Sequence, residues 1–134
     1  MPKRRHEPIW VDRVILDAVH LDQIREHGGL AGTRDENALE SALVRPRNRW
    51  HHEPNVGMAE LAAAYGWALT TSYPYCDGNK RVGFLAMATF LELNGYELMA
   101  SDAEVVQLML SVADHGMPER DLADWIRFRI TAKK

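Results

Sequence analysis

The sequence predicts an all-α bundle of about six helices, a single domain spanning residues 1–134. Three observations carry this expectation. Apolar residues recur at helical spacing along most of the chain. The breaks between these stretches fall at glycine and proline clusters rather than in short alternating runs. Hydrophobic residues make up 46% of the 134 and charged residues 26%, the balance of a globular chain long enough to bury a core without disulfides or structural metals.

The elements follow in order. From Pro8 to about Glu26, Ile9, Trp10, Val14, Ile15, Val19 and Ile24 keep near one stripe, and Gly28-Gly29 stops the helix. A second helix is expected to start near Arg34–Asp35, to carry Leu39, Ala42 and Leu43, and to end before Pro46. Acidic Asp35 and Glu36 suit its first turn, where the helix dipole favours negative charge. Arg45 to Gly57 has two prolines and no period, and reads as a surface loop. A third helix runs from about Met58 to Ser72 on Leu61, Ala62, Tyr65 and Leu69. A fourth begins near Asn79 and continues through Phe84, Leu85, Ala88, Phe90 and Leu91 to Asn94-Gly95, buried nearly all round. Tyr96 to Met99 is a short extended piece leading to Ser101-x-x-Glu104, a capping box that opens a fifth helix. Gly116 and Pro118 separate that helix from a last one with Leu122, Trp125, Ile126 and Phe128.

Composition excludes several classes of function. Sixteen Lys and Arg against nineteen Asp and Glu give a net charge of −3, with no cation excess for a general nucleic-acid coat. A single cysteine, Cys76, forms no internal disulfide, which fits a reducing compartment. The basic start MPKRRHEPIW lacks the apolar core of a signal peptide, and Val82 to Leu93, the most apolar segment, is too short to span a membrane. The expectation is a cytoplasmic protein with no direct nucleic-acid or membrane partner. No Cys/His cluster has zinc spacing.

Chemistry concentrates in Tyr73-Pro74-Tyr75-Cys76-Asp77-Gly78-Asn79-Lys80-Arg81, between two apolar helices. Gly78 and Asn79 open the following helix, whose free backbone N–H groups and positive dipole end attract anions. Lys80 and Arg81 add cationic donors there, and an arginine grips phosphate oxygens in pairs. Asp77 is a hard oxygen ligand suited to Mg²⁺ bridging phosphates. Together they form a candidate nucleotide triphosphate site. The same residues also fit an ordinary helix start with solvated charges, and local physics weighs the two equally.

The segment resembles the signature of the Fic/Doc family, His-Pro-Phe-x-(Asp/Glu)-Gly-Asn-(Gly/Lys)-Arg: Tyr75 takes the aromatic third position, and Pro74, Asp77, Gly78, Asn79 and Arg81 match. Lys80, and Phe84 where many adenylylating members carry a second arginine, point to the Doc branch. The stretches Glu26-His27-Gly28-Gly29, Gly32-Thr33-Arg34-Asp35 and Leu39-Glu40-Ser41-Ala42-Leu43-x-Arg45-Pro46 are also similar to Doc toxins, as are Phe90-Leu91-x-Leu93-Asn94-Gly95 and the Trp125 helix. The resemblance implies the bacterial toxin of a toxin–antitoxin pair, acting with ATP and Mg²⁺ to phosphorylate a hydroxyl of a translation factor such as elongation factor Tu. Transfer of AMP, as in most Fic proteins, is the alternative. By position, Asp77 would hold Mg²⁺, while Gly78, Asn79, Lys80 and Arg81 would cradle phosphates. Asp77 and Arg81 also join the catalytic set.

Tyr73 departs from the signature, because the family's catalytic histidine stands there. Histidine titrates near pH ~6.5 and tyrosine near ~10, so a phenol donates a hydrogen bond where a base is wanted. Three readings follow in order: an inactivating substitution, a natural pseudoenzyme that binds nucleotide or antitoxin, and a working tyrosine beside Lys80, Arg81 and a metal. His51-His52 lies in the segment the resemblance aligns with the family's target-aligning flap; a solvent-facing pair is preferred there to a substitute base. His20 is equally a packed helix residue and a site neighbour. For Arg34 and Asp35, helix capping is preferred over support of the active-site loop. Cys76 occupies the signature's variable position, and nothing in the sequence makes it a nucleophile. Phe84, Met87 and Leu91 form a core stripe, and the four tryptophans are packing residues, with Trp50 a candidate exposed contact. The family's inhibitory pattern, Ser/Thr-x-x-x-Glu-Gly/Asn, is missing from this sequence, so restraint is expected from a separate antitoxin chain.

Overall fold

The computed structural model describes residues 5–133; the basic Met1–Arg4 start weighed above as a targeting segment lies outside them. Among the described residues the chain forms α1 (Arg13–His27), α2 (Glu36–His52), α3 (Met58–Ser72), α4 (Asn79–Leu93), β1 (Tyr96–Leu98), α5 (Asp102–Ala113), α6 (Glu119–Arg127) and β2 (Ile130–Ala132). The predicted all-α bundle of six helices is the observed fold, with one small antiparallel ribbon added.

Helix α3 is the axis of the molecule. Its sequence is rich in alanine and short of charge, and Ala59, Leu61 to Gly66 and Ala68 to Thr70 are all buried. Helices α2, α4, α5 and α6 pack around it. The closest approach is to α4, where Gly83 leaves room for Thr70 and the Gly66 carbonyl, and Gly66 leaves room for Met87. Helix α4 buries Val82, Ala86, Met87, Phe90 and Leu91 but exposes Lys80, Arg81, Glu92 and Leu93 at its ends, so α3 rather than α4 is the enclosed helix.

Two boundaries differ from expectation. Helix α1 begins at Arg13, not Pro8, because Asp12 caps it by accepting the Ile15 N–H. The preceding backbone is already bonded elsewhere: the Val11 N–H donates to the Tyr65 hydroxyl at 3.0 Å, and Ile9 exchanges two bonds with the Asn94 side chain. Helix α2 runs through Pro46 and is seventeen residues long, ending at His52, so most of the expected loop is helical. Pro46 is buried on the stripe of Leu39, Leu43 and Trp50, and Arg45 and Arg49 both pair with Glu119 of α6. These contacts hold the helix across a proline that deprives the Ala42 carbonyl of its usual partner. The extended piece at Tyr96 does form a strand, and its partner is the chain end: Tyr96 pairs with Ala132 and Leu98 with Ile130. The Ser101–Glu104 capping box is present as expected. No helix among the described residues is long and apolar enough to cross a membrane.

Candidate active site: a motif loop walled by the first helix

The motif loop joins the two most buried helices. Helix α3 stops at Ser72, and Tyr73 takes the left-handed conformation there (φ 51°, ψ 55°), a helix end usually given to glycine. Arg34 anchors this end: its Nε donates to the Tyr73 carbonyl at 2.6 Å and its Nη2 to the Ser72 carbonyl at 2.8 Å. Asp35 instead caps α2 by accepting the Ala38 N–H. The two neighbours therefore divide the roles considered for them, one supporting the loop and one capping a helix.

The next residues pair with the segment between α1 and α2. Thr33 and Tyr75 form an antiparallel bridge, the Cys76 N–H donates to the Gly32 carbonyl at 3.0 Å, and the N–H groups of Arg34 and Asp35 both reach the Pro74 carbonyl. Asn79 closes the turn on itself, accepting from the Tyr75 N–H and donating to the Tyr75 carbonyl, both at 3.0 Å. It is a buried brace of the loop, placed at the first position of α4. Gly78 precedes it with φ 81°, a conformation that strains any side chain.

One stripe of α1, Arg13, Asp17, His20 and Ile24, makes the wall behind the loop. The Tyr75 hydroxyl donates to Asp17 Oδ1 at 2.7 Å, and Asp17 Oδ2 pairs with Arg13, which also grips Glu36 and Glu40 of α2. Burial, with the Asp17 carboxylate behind it, pushes the Tyr75 phenol far above its ordinary range, so it remains a donor. His20, 4% exposed, stacks on Tyr75 with ring centres 3.8 Å apart. Its Nε2 lies 2.9 Å from the Asp77 carbonyl oxygen; a carbonyl only accepts, so Nε2 carries the proton. His20 is thus both of the things considered for it, a packed residue and a neighbour of the site. The Asp77 side chain is exposed, with Oδ2 accepting the Leu30 N–H at 2.7 Å.

At the start of α4 no side chain caps the helix and no acidic residue stands in the first turn, while Lys80 and Arg81 are exposed there. Cations at this end oppose the helix dipole, whereas an anion would satisfy both the dipole and the cations. The arrangement is a corner whose charge suits an anion, with one carboxylate, Asp77, beside it. Among the described residues, no group of three or more His, Cys, Asp and Glu side chains comes together as a metal cage. A single carboxylate fits Mg²⁺ held mainly by phosphate oxygens and water.

The structure brings Tyr73, Asp77, Gly78, Asn79, Lys80 and Arg81 into one loop and helix start. It does not bring His51-His52 there. The first residues of α2 touch the motif loop, and the pair sits at the far end of that seventeen-residue helix, roughly 25 Å away at 1.5 Å per residue. The segment that flanks the motif is Gly28–Arg34, so placing the flap at Arg45–Gly57 is corrected. Trp50 is half-buried beneath the Arg5 guanidinium rather than in a loop. Three contributors were missed by sequence reasoning: Asp17, the hydroxyl of Tyr75, and Gly29, where an added Cβ would sit 3.1 Å from Asp77 Cβ. The glycines at 28, 29 and 32, all with positive φ, were the available signal.

Fold and site together define a six-helix protein with one small ribbon, whose candidate site is the loop between its two core helices. The chain belongs to the Fic/DOC family, whose model matches residues 10–91, a span holding the α1 wall, the glycine segment and the whole motif. It is 34% identical over 74 residues to a protein named Toxin Doc from Mycolicibacterium smegmatis (strain ATCC 700084 / mc(2)155). That match covers 54% of this chain and 57% of the relative, so the chain spans a little over half the relative's length.

Proposed function

We propose that this chain is a Doc-type toxin. Its motif loop binds ATP with Mg²⁺ for transfer of the γ-phosphate to a hydroxyl of a translation factor of the elongation factor Tu kind, and Tyr73 holds the present sequence at or near inactivity. The observation that carries this reading is the start of α4, uncapped, free of acid and bearing Lys80 and Arg81 next to Asp77. Family membership and a relative named as a toxin support it.

In this reading the first-turn N–H groups of α4, with Lys80 and Arg81, receive the phosphates, and Asp77 holds the metal with the oxygen not used by Leu30. Mg²⁺, when bound, neutralises charge that develops on the transferring phosphates. The oxygen of the target hydroxyl bonds to the γ-phosphorus, the bond from that phosphorus to the bridging oxygen breaks, and ADP leaves. The hydroxyl proton needs an acceptor at position 73. An imidazole accepts it; a phenol that keeps its own proton does not. A separate antitoxin chain supplies the restraint.

Tyr73 also favours a second reading, a binding module that takes up nucleotide or antitoxin and transfers nothing. AMP transfer is less well supported, because Phe84 packs half-buried against the core where adenylylating members place an arginine.

The test compares this chain with its Tyr73→His variant, each in bacterial lysate with Mg²⁺ and ATP labelled at the α- or the γ-phosphate. The expected result is γ-label on a lysate protein with the histidine variant alone. Transfer of α-label replaces phosphotransfer by AMP transfer. ATP binding without label movement by either protein establishes the binding module. Equal labelling by both overturns the assignment of Tyr73 as a silenced base.

A further inference from the structure

We propose that His20 is a positioning residue for the metal–phosphate site: it acts through Asp77, fixing by its hydrogen bond and its stack the main chain from which the Asp77 carboxylate projects. The inference rests on the reading of Asp77 as the metal ligand.

Asp77 is exposed and sits in a turn, where a carboxylate would ordinarily sample several directions. Here it is tied at three points. His20 Nε2 donates to its carbonyl oxygen at 2.9 Å, the Leu30 N–H donates to its Oδ2 at 2.7 Å, and Gly29 stands so close to its Cβ that no side chain fits between. His20 is the tie that comes from the core. It is buried on a helix, pressed against Tyr75 at 3.8 Å, and Tyr75 is fixed in turn by Asp17 and by both ends of Asn79. The imidazole also passes close to Gly78, whose hypothetical Cβ would lie 3.8 Å from the ring. One buried ring therefore sets the residue that carries the carboxylate and the residue that opens α4. Loss of a partner of this kind, which orients a ligand without touching the metal, typically costs about 10- to 100-fold in metal affinity.

The stack and the donated bond separate by substitution. His20→Phe keeps the flat ring on Tyr75 and removes the donor. His20→Gln keeps an N–H donor on a chain of similar reach. Binding of adenosine 5′-(β,γ-imido)triphosphate to the full chain is measured by calorimetry with and without Mg²⁺, alongside thermal melting. The unaltered chain should bind more tightly with Mg²⁺ than without. In His20→Phe the gain from Mg²⁺ should fall about tenfold while Mg²⁺-free binding, carried by Lys80, Arg81 and the helix start, holds. His20→Gln should recover most of it. In an Asp77→Asn background, His20→Phe should remove nothing further, because its effect passes through Asp77.

An undiminished gain from Mg²⁺ in His20→Phe overturns the inference, and so do additive losses in the double variant. If His20→Phe does not fold, His20→Asn takes its place. That amide is too short to reach the carbonyl, and the same loss is required of it. Absence of nucleotide binding by the unaltered chain, with Mg²⁺ or without, overturns the proposed function itself, which distinguishes the two failures.

Discussion

The Tyr75 hydroxyl donates to Asp17 Oδ1 at 2.7 Å across 58 residues of sequence, and this bond fastens the motif loop to the first helix. A phenylalanine fits the resembled signature at this position, so the hydroxyl is a feature of this chain. Asp17 is itself held by Arg13, and Arg13 by Glu36 and Glu40, so the bond is the inner end of a chain of contacts that reaches α2.

Replacing that hydroxyl tests what it contributes. Tyr75→Phe keeps the ring against His20 and leaves Asp17 Oδ1 to water, since that side chain is 46% exposed. The expected loss is about 1 kcal/mol, or roughly 4 °C in melting temperature. A melting curve superimposable on that of the unaltered chain would show that the bond adds nothing.

The pH dependence has two edges. Glu36 is held below the usual carboxyl value of 4.5 by its bond to Arg13, Glu53 by Arg49, and Glu104 by the Ser101 N–H and then Arg129. Carboxyls lowered on folding stabilise above their unfolded value, and that stabilisation is lost as pH falls through the lowered ones. Burial pushes the Tyr65 phenol from 10.0 up to about 12. A group raised on folding stabilises fully below its unfolded value and loses this as pH rises through the folded one. The urea midpoint should therefore be level near neutrality, fall below about pH 4.5 and fall again above about pH 10. In a chain carrying Glu36→Gln, Glu53→Gln and Glu104→Gln the acid edge should be shallower; an unchanged edge would place it in other groups.

Much of the fold was legible because its signals are local. The Ser101–Glu104 box, the Asn94-Gly95 stop and the apolar run of α3 each act within a few residues. Sequence rules end helix α2 before Pro46, a usual breaker, yet this proline continues the stripe of Leu39, Leu43 and Trp50 and is buried on it. Whether a proline ends a helix depends on what the helix packs against, here Glu119 of α6, and that partner lies some seventy residues on. The motif residues were legible as a set through their order. Their wall was legible only at His20, weighed equally as a packed residue and a site neighbour; Asp17 was not, because it reaches a hydroxyl more than fifty residues away, a contact no spacing rule encodes. The segment beside the motif was misplaced for a similar reason: Gly28-Gly29 reads as a helix stop, and only the fold shows Leu30 and Gly32 bonding to the loop.

Arg34 should matter more than an exposed arginine usually does. It serves two carbonyls at the end of α3, which otherwise lack helical partners, and it holds the left-handed Tyr73. Arg34→Ala should cost about 1–2 kcal/mol in chemical denaturation. Arg34→Lys should recover little, since a single ammonium does not reproduce a planar fork on two acceptors. Full recovery by lysine would reduce Arg34 to a point charge.

The close approach of α3 and α4 gives the last prediction. An alanine methyl at Gly83 would overlap Thr70 Oγ1 and press on the Gly66 carbonyl, and all three lie where α3 and α4 cross. Thr70 is fully buried, so Gly83→Ala must push the helices apart at a cost of about 2–3 kcal/mol. The Thr70 hydroxyl is the one buried side-chain polar atom among the described residues without a hydrogen-bond partner. Removing it should cost little, because no bond is lost and an unsatisfied group leaves the core. Thr70→Ala also deletes the buried Cγ2 methyl, so alone it should cost no more than about 1 kcal/mol, and Thr70→Ala with Gly83→Ala should be more stable than Gly83→Ala by at least about 1 kcal/mol. Strictly additive effects would mean that the hydroxyl is not what the methyl meets, and that the Gly66 backbone sets the distance between the two helices.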